Sequence, residues 1–230
     1  MNTLATKPTR SRRPYQSQRQ QLRAANILAV ARAALSDKGY EGITMNGLAA
    51  EAGVTKRTLY NLYGSKDQLL QTAIGEVIAR YRDPQRKSNP GFPTIVESRR
   101  ISVDEIVATP AYADAMTRTM INTPNDHPLN KALLADSITF ITEHLEHANQ
   151  CNELNGTVPV TLLAQQIVSQ GWGTALLRMK GLIDNEQFAT SSMAGLILLL
   201  ISASRGKSQS ALHQHFNQLT AKHNQGDLTS

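Results

Sequence analysis

Apolar residues recur every three to four positions along most of this chain, the spacing of one buried helix face. Ile27, Leu28, Ala31, Ala34 and Leu35 share a stripe on a helix over about 18–38, and Gly39 is its stop. Thr44 then N-caps a short second segment whose Leu48, Ala49 and Ala52 form a small apolar face. Gly53 follows as a turn in which a side chain would be strained. Thr55 caps a third segment that places Leu59, Leu62 and Tyr63 inward and Lys56, Arg57, Thr58, Tyr60 and Asn61 on the open side. Ser65 caps a fourth, in which Leu69, Leu70, Ala73, Ile74, Val77 and Ile78 carry the stripe to about Arg82. The stretch DPQRKSNPGFP at 83–93, with three prolines, reads as a break. Further helices are predicted over 95–108, 110–122, 128–149, 159–182, 185–204 and 208–222, with Pro110, Pro124, Pro128, Pro159 and Gly206 near their boundaries. No segment alternates with a period of two, so the expected fold class is all-α.

Two short helices joined by a tight glycine turn, the second polar on its outer face, are the sequence form of a helix-turn-helix, whose second helix enters the major groove of DNA. The stretch AGVTKRTLYNLYGSKDQLL at 52–70 crowds hydrogen-bonding side chains onto a few apolar anchors. The anchors seat the helix and the polar residues are free for bases and phosphates. Spacing alone fits an ordinary solvated helix pair about equally well.

Charge separates the two readings further. Residues 1–23 hold six basic residues, Lys7, Arg10, Arg12, Arg13, Arg19 and Arg23, and no acid; the balance is +2 over 24–82 and −2 over 83–230. The positive excess therefore lies in the first third, where a polyanion would be met. Residues 1–18, rich in Pro, Ser, Gln and Arg, are expected to be a disordered basic arm able to order on phosphates.

At these residues the sequence resembles the tetracycline-repressor (TetR) family of bacterial transcriptional regulators. The likeness runs from about Arg19 to Arg82 through GYEGITMNGLAAEAGV, TKRTLYNLYGSK and DQLL. It implies an amino-terminal three-helix helix-turn-helix domain with its connecting helix over 19–82, a larger helical ligand-binding and dimerisation domain over 83–230, and a homodimer. It also implies a double-stranded operator as partner and a cytoplasmic repressor released by a small apolar or aromatic effector. By position, Thr44 and Lys66 are the implied phosphate contacts and Tyr60 a backbone contact, with Thr55, Lys56, Arg57, Thr58 and Asn61 as the recognition surface. Two positions depart from the pattern: Leu62 stands where family members often carry His or Tyr, and Gly47 lies inside the second helix. An effector-independent architectural or adaptor protein on the same fold fits the sequence too.

The carboxy-terminal region carries weaker signals. Leu163, Ile167, Gly171, Ala175, Met179 and Leu182 share a stripe with small residues at its centre, followed by GLILLLISA in the next helix. Both segments suit core helices, and the family resemblance favours a four-helix dimer interface built from them. Tyr112, Met116, Met120, Phe140 and Trp172 are candidate linings for a ligand pocket, since flexible Met and flat aromatic rings suit an apolar or aromatic guest. His144 and His147, beside Glu143 and Glu146, are read as part of a solvated charged face rather than a metal site.

Bulk composition excludes several classes. A chain of 230 residues that is 40% hydrophobic has material for real cores, and 5% aromatic content leaves them to Leu, Ile, Ala and Met. The single cysteine, Cys151, has no disulfide partner and no zinc-ligand spacing around it, which fits a reducing cytoplasm. No signal-peptide core opens the chain, and the apolar run MAGLILLLISA at 193–203 is short of the roughly 20 residues of a membrane span. No nucleophile elbow, P-loop or dinucleotide fingerprint is present, so no enzyme activity, cofactor or metal is expected.

Overall fold

The computed structural model describes residues 13–86, 90–124 and 126–226. In chain order these form α1 (Arg13–Lys38), α2 (Met45–Glu51), α3 (Lys56–Tyr63), α4 (Lys66–Arg86), α5 (Phe92–Ala108), α6 (Pro110–Asn122) and α7 (Pro128–Asn130). A π-helical turn over Lys131–Ala135 leads into α8 (Asp136–Gln150), followed by α9 (Val160–Met179), α10 (Asn185–Ala203) and α11 (Gly206–Gly226). Among the described residues there is no sheet, only an isolated bridge between Leu154 and Ser204.

The stripes behave as their periodicity requires. Ile27, Leu28, Ala31, Ala34 and Leu35 are buried, and with Leu48, Ala49, Leu59, Leu69, Leu70, Ala73 and Ile74 they form one core. Ala115 of α6, Leu129 of α7 and Leu133 of the π-turn complete that core, so it is not sealed at residue 82. A second core joins α5, α8, α9, α10 and α11 through Ile95, Phe140, Leu145, Ile167, Leu196, Leu200 and Leu212. The caps at Thr44 and Thr55 are formed, each side chain accepting from the backbone N–H three residues on. Asp184 and Gln187 make a reciprocal capping box at the start of α10.

Several expectations are corrected. Helix α1 begins at Arg13, its QSQRQQLR stretch being made of good helix formers, so residues 13–18 of the expected arm are helical rather than disordered. Residues 1–12 of the expected arm lie outside the described residues. Helix α4 continues through Pro84 to Arg86, and α5 begins at Phe92, with Pro93 in its first turn, where a missing N–H loses no intrahelical bond. The predicted helix over 128–149 is present without a gap, with a π-turn between α7 and α8.

Helix α10, at 19 residues, is long and apolar enough by composition to cross a membrane, which the shorter run at 193–203 did not suggest. Here it is the central helix of the second core, in contact with α5, α9 and α11.

Candidate nucleic-acid interface and interior cavity

Helix α3 has one fully buried residue, Leu59, and exposes Lys56, Arg57, Tyr60, Asn61 and Leu62. Leu62 is 53% exposed, against the inward placement its spacing suggested. Tyr63, four residues after Leu59, packs on the first core instead. The turn before α3 is closed by Val54 N–H donating to Ala49 O at 2.9 Å, with Gly53 at φ +64°, a left-handed conformation suited to glycine. Asn26 of α1 donates to Ala52 O at 3.2 Å and pins the end of α2. Thr44 is exposed beside the start of α2, its Oγ1 accepting from Gly47 N–H at 3.1 Å. Thr58 is half-buried and its Oγ1 is 2.9 Å from that of Thr55. Lys56 Nζ lies 5.7 Å from the Tyr60 ring centre, so the exposed side chains partly support one another.

Lys66 is less free than its position suggested. Its ammonium donates to Tyr40 O at 3.1 Å and sits 3.9 Å from the Tyr40 ring centre, leaving its remaining N–H groups for another acceptor. The Tyr40 hydroxyl donates to Asp67 Oδ1 at 2.6 Å and lies 3.0 Å from His127 Nε2. Burial, and then the hydrogen bond to Asp67, push the Tyr40 phenol well above its ordinary range. This cluster ties the segment between α6 and α7 to the start of α4. Nothing in the sequence could join Tyr40 to a histidine 87 residues away.

A cavity of about 200 Å³ lies among α5, α6, α8, α9 and α10, with Ile78 of α4 and Leu133 of the π-turn on its wall. Tyr112, Met116, Phe140 and Trp172 line it as expected from their chemistry. Met120 is not among the lining residues; it packs on the first core, as Tyr112, Met116 and Trp172 also do. Arg99 lines the cavity and was not anticipated, although the sequence held a sign of it. Ile95, Arg99 and Val103 are four apart, which sets a charged residue on the buried stripe of α5. Its guanidinium donates to Gln170 Oε1 at 2.9 Å, Ser192 Oγ at 3.2 Å and Ile167 O at 2.8 Å. Desolvation pushes it down to about 10, still cationic at neutral pH.

The stripe expected at a dimer interface instead faces the chain's own interior. Leu163, Ile167 and Ala175 are buried within the chain, and Met179 is half-buried. Gly171 leaves room for Arg99, since a Cβ there would stand 2.7 Å from Arg99 Nη1. Leu182 is exposed but lies beyond the end of α9. The outward apolar side chains are Leu162 and Leu177 on α9 and Leu198 on α10. His144 is buried rather than solvated; its Nδ1 accepts from Gly91 N–H at 3.3 Å and its ring meets Phe140 edge-on. His147 lies instead 3.6 Å from Cys151 Sγ.

A short capped helix, presenting a polar face outward from a helical platform and preceded by a tight turn and a second capped helix, defines the helix-turn-helix class of DNA-binding proteins. Residues 27–73 match the model of the bacterial regulatory proteins of the tetR family. The HTH-type transcriptional regulator YvaF of Bacillus subtilis, itself uncharacterised, is 29% identical over 136 residues, 55% of this chain and just under two thirds (66%) of that relative. Among solved structures, SmeT, the repressor of the Stenotrophomonas maltophilia multidrug efflux pump SmeDEF, superposes with a TM-score of 0.63 at 16% identity, over 80% of this chain and 92% of that one. The Bacillus subtilis regulator FadR, in complex with stearoyl-CoA, superposes with a TM-score of 0.62 at 16% identity, over 76% and 97%. At such identities the two structures speak for the fold alone. The helix-turn-helix segment of this chain is thus similar to that of the tetR family over residues 27–73.

Proposed function

We propose that the protein is a homodimeric repressor that holds operator DNA through α2 and α3 and releases it when a small molecule fills the interior cavity. The observation that carries this reading is the pairing, in one chain, of an open polar recognition helix with a largely apolar cavity whose wall reaches α4. Residues 19–82 act as the DNA-binding domain and 83–230 as the ligand-binding and dimerisation domain, with α6 and α7 packed across the join. Lys56, Arg57 and Asn61 face the bases, helped by Thr55 and Thr58. Thr44, Tyr60 and Lys66 hold the phosphates. The outward faces of α9 and α10, with Leu162, Leu177 and Leu198, pair with their copies about a two-fold axis.

A dimer of this kind binds when its two recognition helices stand one helical repeat, about 34–36 Å, apart. A guest touching Ile78 and Leu133 presses on α4 and on the first core together, and shifts the population towards dimers with another spacing. That SmeT is a repressor and that FadR was crystallised with stearoyl-CoA make release by a ligand a natural reading for this chain.

The test uses duplexes selected from a random library, with a scrambled duplex as control. Arg57→Ala should cost about 1–3 kcal/mol on the selected duplex and much less on the scrambled one, because Arg reads guanine edges bidentately. Lys66→Ala should weaken both alike and lower the salt slope by about one. The reverse pattern would place α3 outside the major groove.

A further inference from the structure

Arg178 is buried and Arg99 half-buried, both on helices that meet around the cavity, and their partners differ. Arg178 is paired with the Asp114 carboxylate. Arg99 has only neutral acceptors, the Gln170 amide, the Ser192 hydroxyl and a backbone carbonyl. Among the described residues no carboxylate forms an ion pair with it. A buried cation is costly unless an anion meets it. The neighbourhood is nonetheless built to keep the guanidinium in place. Gly171 provides the space, since any Cβ there would collide with both terminal nitrogens. Gln170 is itself held by Thr174 Oγ1 at 3.1 Å and Ser191 O at 3.2 Å, lodged over Gly195. The bonds formed use both Nη1–H groups and one on Nη2, leaving Nε–H and the second Nη2–H, the edge of the fork that matches two carboxylate oxygens.

We infer that the cavity takes an apolar monocarboxylate, its carboxylate forked on Arg99 and its body against Trp172, Phe140 and Met116. This rests on the cavity being the effector site. Among the described residues Arg99 is the one cationic side chain on the wall, so a monoanion matches it and a phosphate dianion does not. Glu105, the one carboxylate there, also lines a neighbouring groove with Arg32 and Pro110 and lies six residues, roughly 9 Å, along α5 from Arg99. It marks the mouth and turns an acid end away from itself towards Arg99. A cavity of about 200 Å³ has room for roughly a dozen water-sized groups, the size of a phenylalkanoate or a medium-chain fatty acid.

The experiment is calorimetric titration of the full-length protein with phenylbutyrate and decanoate, and with their neutral amides, together with operator-binding assays. Each acid should bind about tenfold or more tightly than its amide. Arg99→Met should bind acid and amide alike, Arg99→Lys should keep part of the preference, and Ala113→Phe, which fills the cavity, should weaken every probe. Should Arg99→Met fail to fold, Arg99→Lys reads the same point: an undiminished preference without the fork counts against the pairing. The inference is overturned if acids do not bind wild type at millimolar concentration, if amides equal acids, or if the preference survives Arg99→Met. Equal binding of acid and amide that Ala113→Phe abolishes would sink the anion reading and leave the cavity reading standing. An acid preference carried by Arg99 with no loss of operator affinity would do the opposite.

Discussion

Buried and exposed positions of α9 make opposite predictions, and two of its leucines separate them. Leu163 is 2% exposed and Leu177 is 44% exposed. Leu163→Ala removes fully buried carbons and leaves a hole, for which large-to-small changes in packed cores cost about 2–5 kcal/mol. Leu177→Ala removes atoms already half in water, so its intrachain cost is about 1 kcal/mol or less. Glutamate sharpens the contrast. Leu163→Glu puts a carboxylate into the second core and should prevent stable folding. Leu177→Glu should fold normally, yet across a two-fold interface the loss is counted twice. About 1 kcal/mol of burial per subunit, with a further 1–2 kcal/mol for desolvating each carboxylate, raises the dimer dissociation constant by roughly three to four decades. Sedimentation velocity over a concentration series, with urea melts on the same samples, reads both effects. A Leu177→Glu protein as dimeric as wild type, or a wild type that is monomeric at micromolar concentration, would show that these faces do not pair.

The other expectations are independent of the dimer. Asp114→Ala strands the buried Arg178, whose Nε already has no acceptor, and should cost about 2–3 kcal/mol in urea; Arg178→Met leaves a carboxylate that water can reach and should cost about 1 kcal/mol, so the opposite order would refute the burial argument. The folded protein raises the Tyr40 phenol above its ordinary value of about 10, so the unfolded chain loses that proton first and stability falls as pH rises above about 10. Tyr40→Phe should flatten this decline by one proton, about 1.4 kcal/mol per pH unit, in denaturant melts between pH 10 and 11, and an unchanged slope would mean that Tyr40 is not the group concerned. Gly75 lies in the middle of α4 with open space where a Cβ would stand, so Gly75→Ala should stabilise the protein by about 0.5–1 kcal/mol, seen as a rise in Tm.

Much of the fold was legible in the chain because its signals are local. Helix periodicity, the Thr44 and Thr55 caps and the glycine at the turn act within four residues, so α2, the turn and α3 and their polar face follow from the sequence. The prolines at 84 and 93 misled because a proline near a helix end costs little, so a proline count does not measure the break. What only the tertiary structure decided is which of two apolar faces turns inward. Helix α9 is apolar on more than one side, and Leu162 and Leu163 are equally hydrophobic in sequence; the packing of α8 and α10 against α9 goes with one being buried and the other left out. The same holds for Met116 and Met120, four apart on α6: both pack on the first core, yet only Met116 also lines the cavity. Pairings across 71 residues between Arg99 and Gln170, or 87 between Tyr40 and His127, leave no local trace, because the geometry that joins them exists only after the helices have packed.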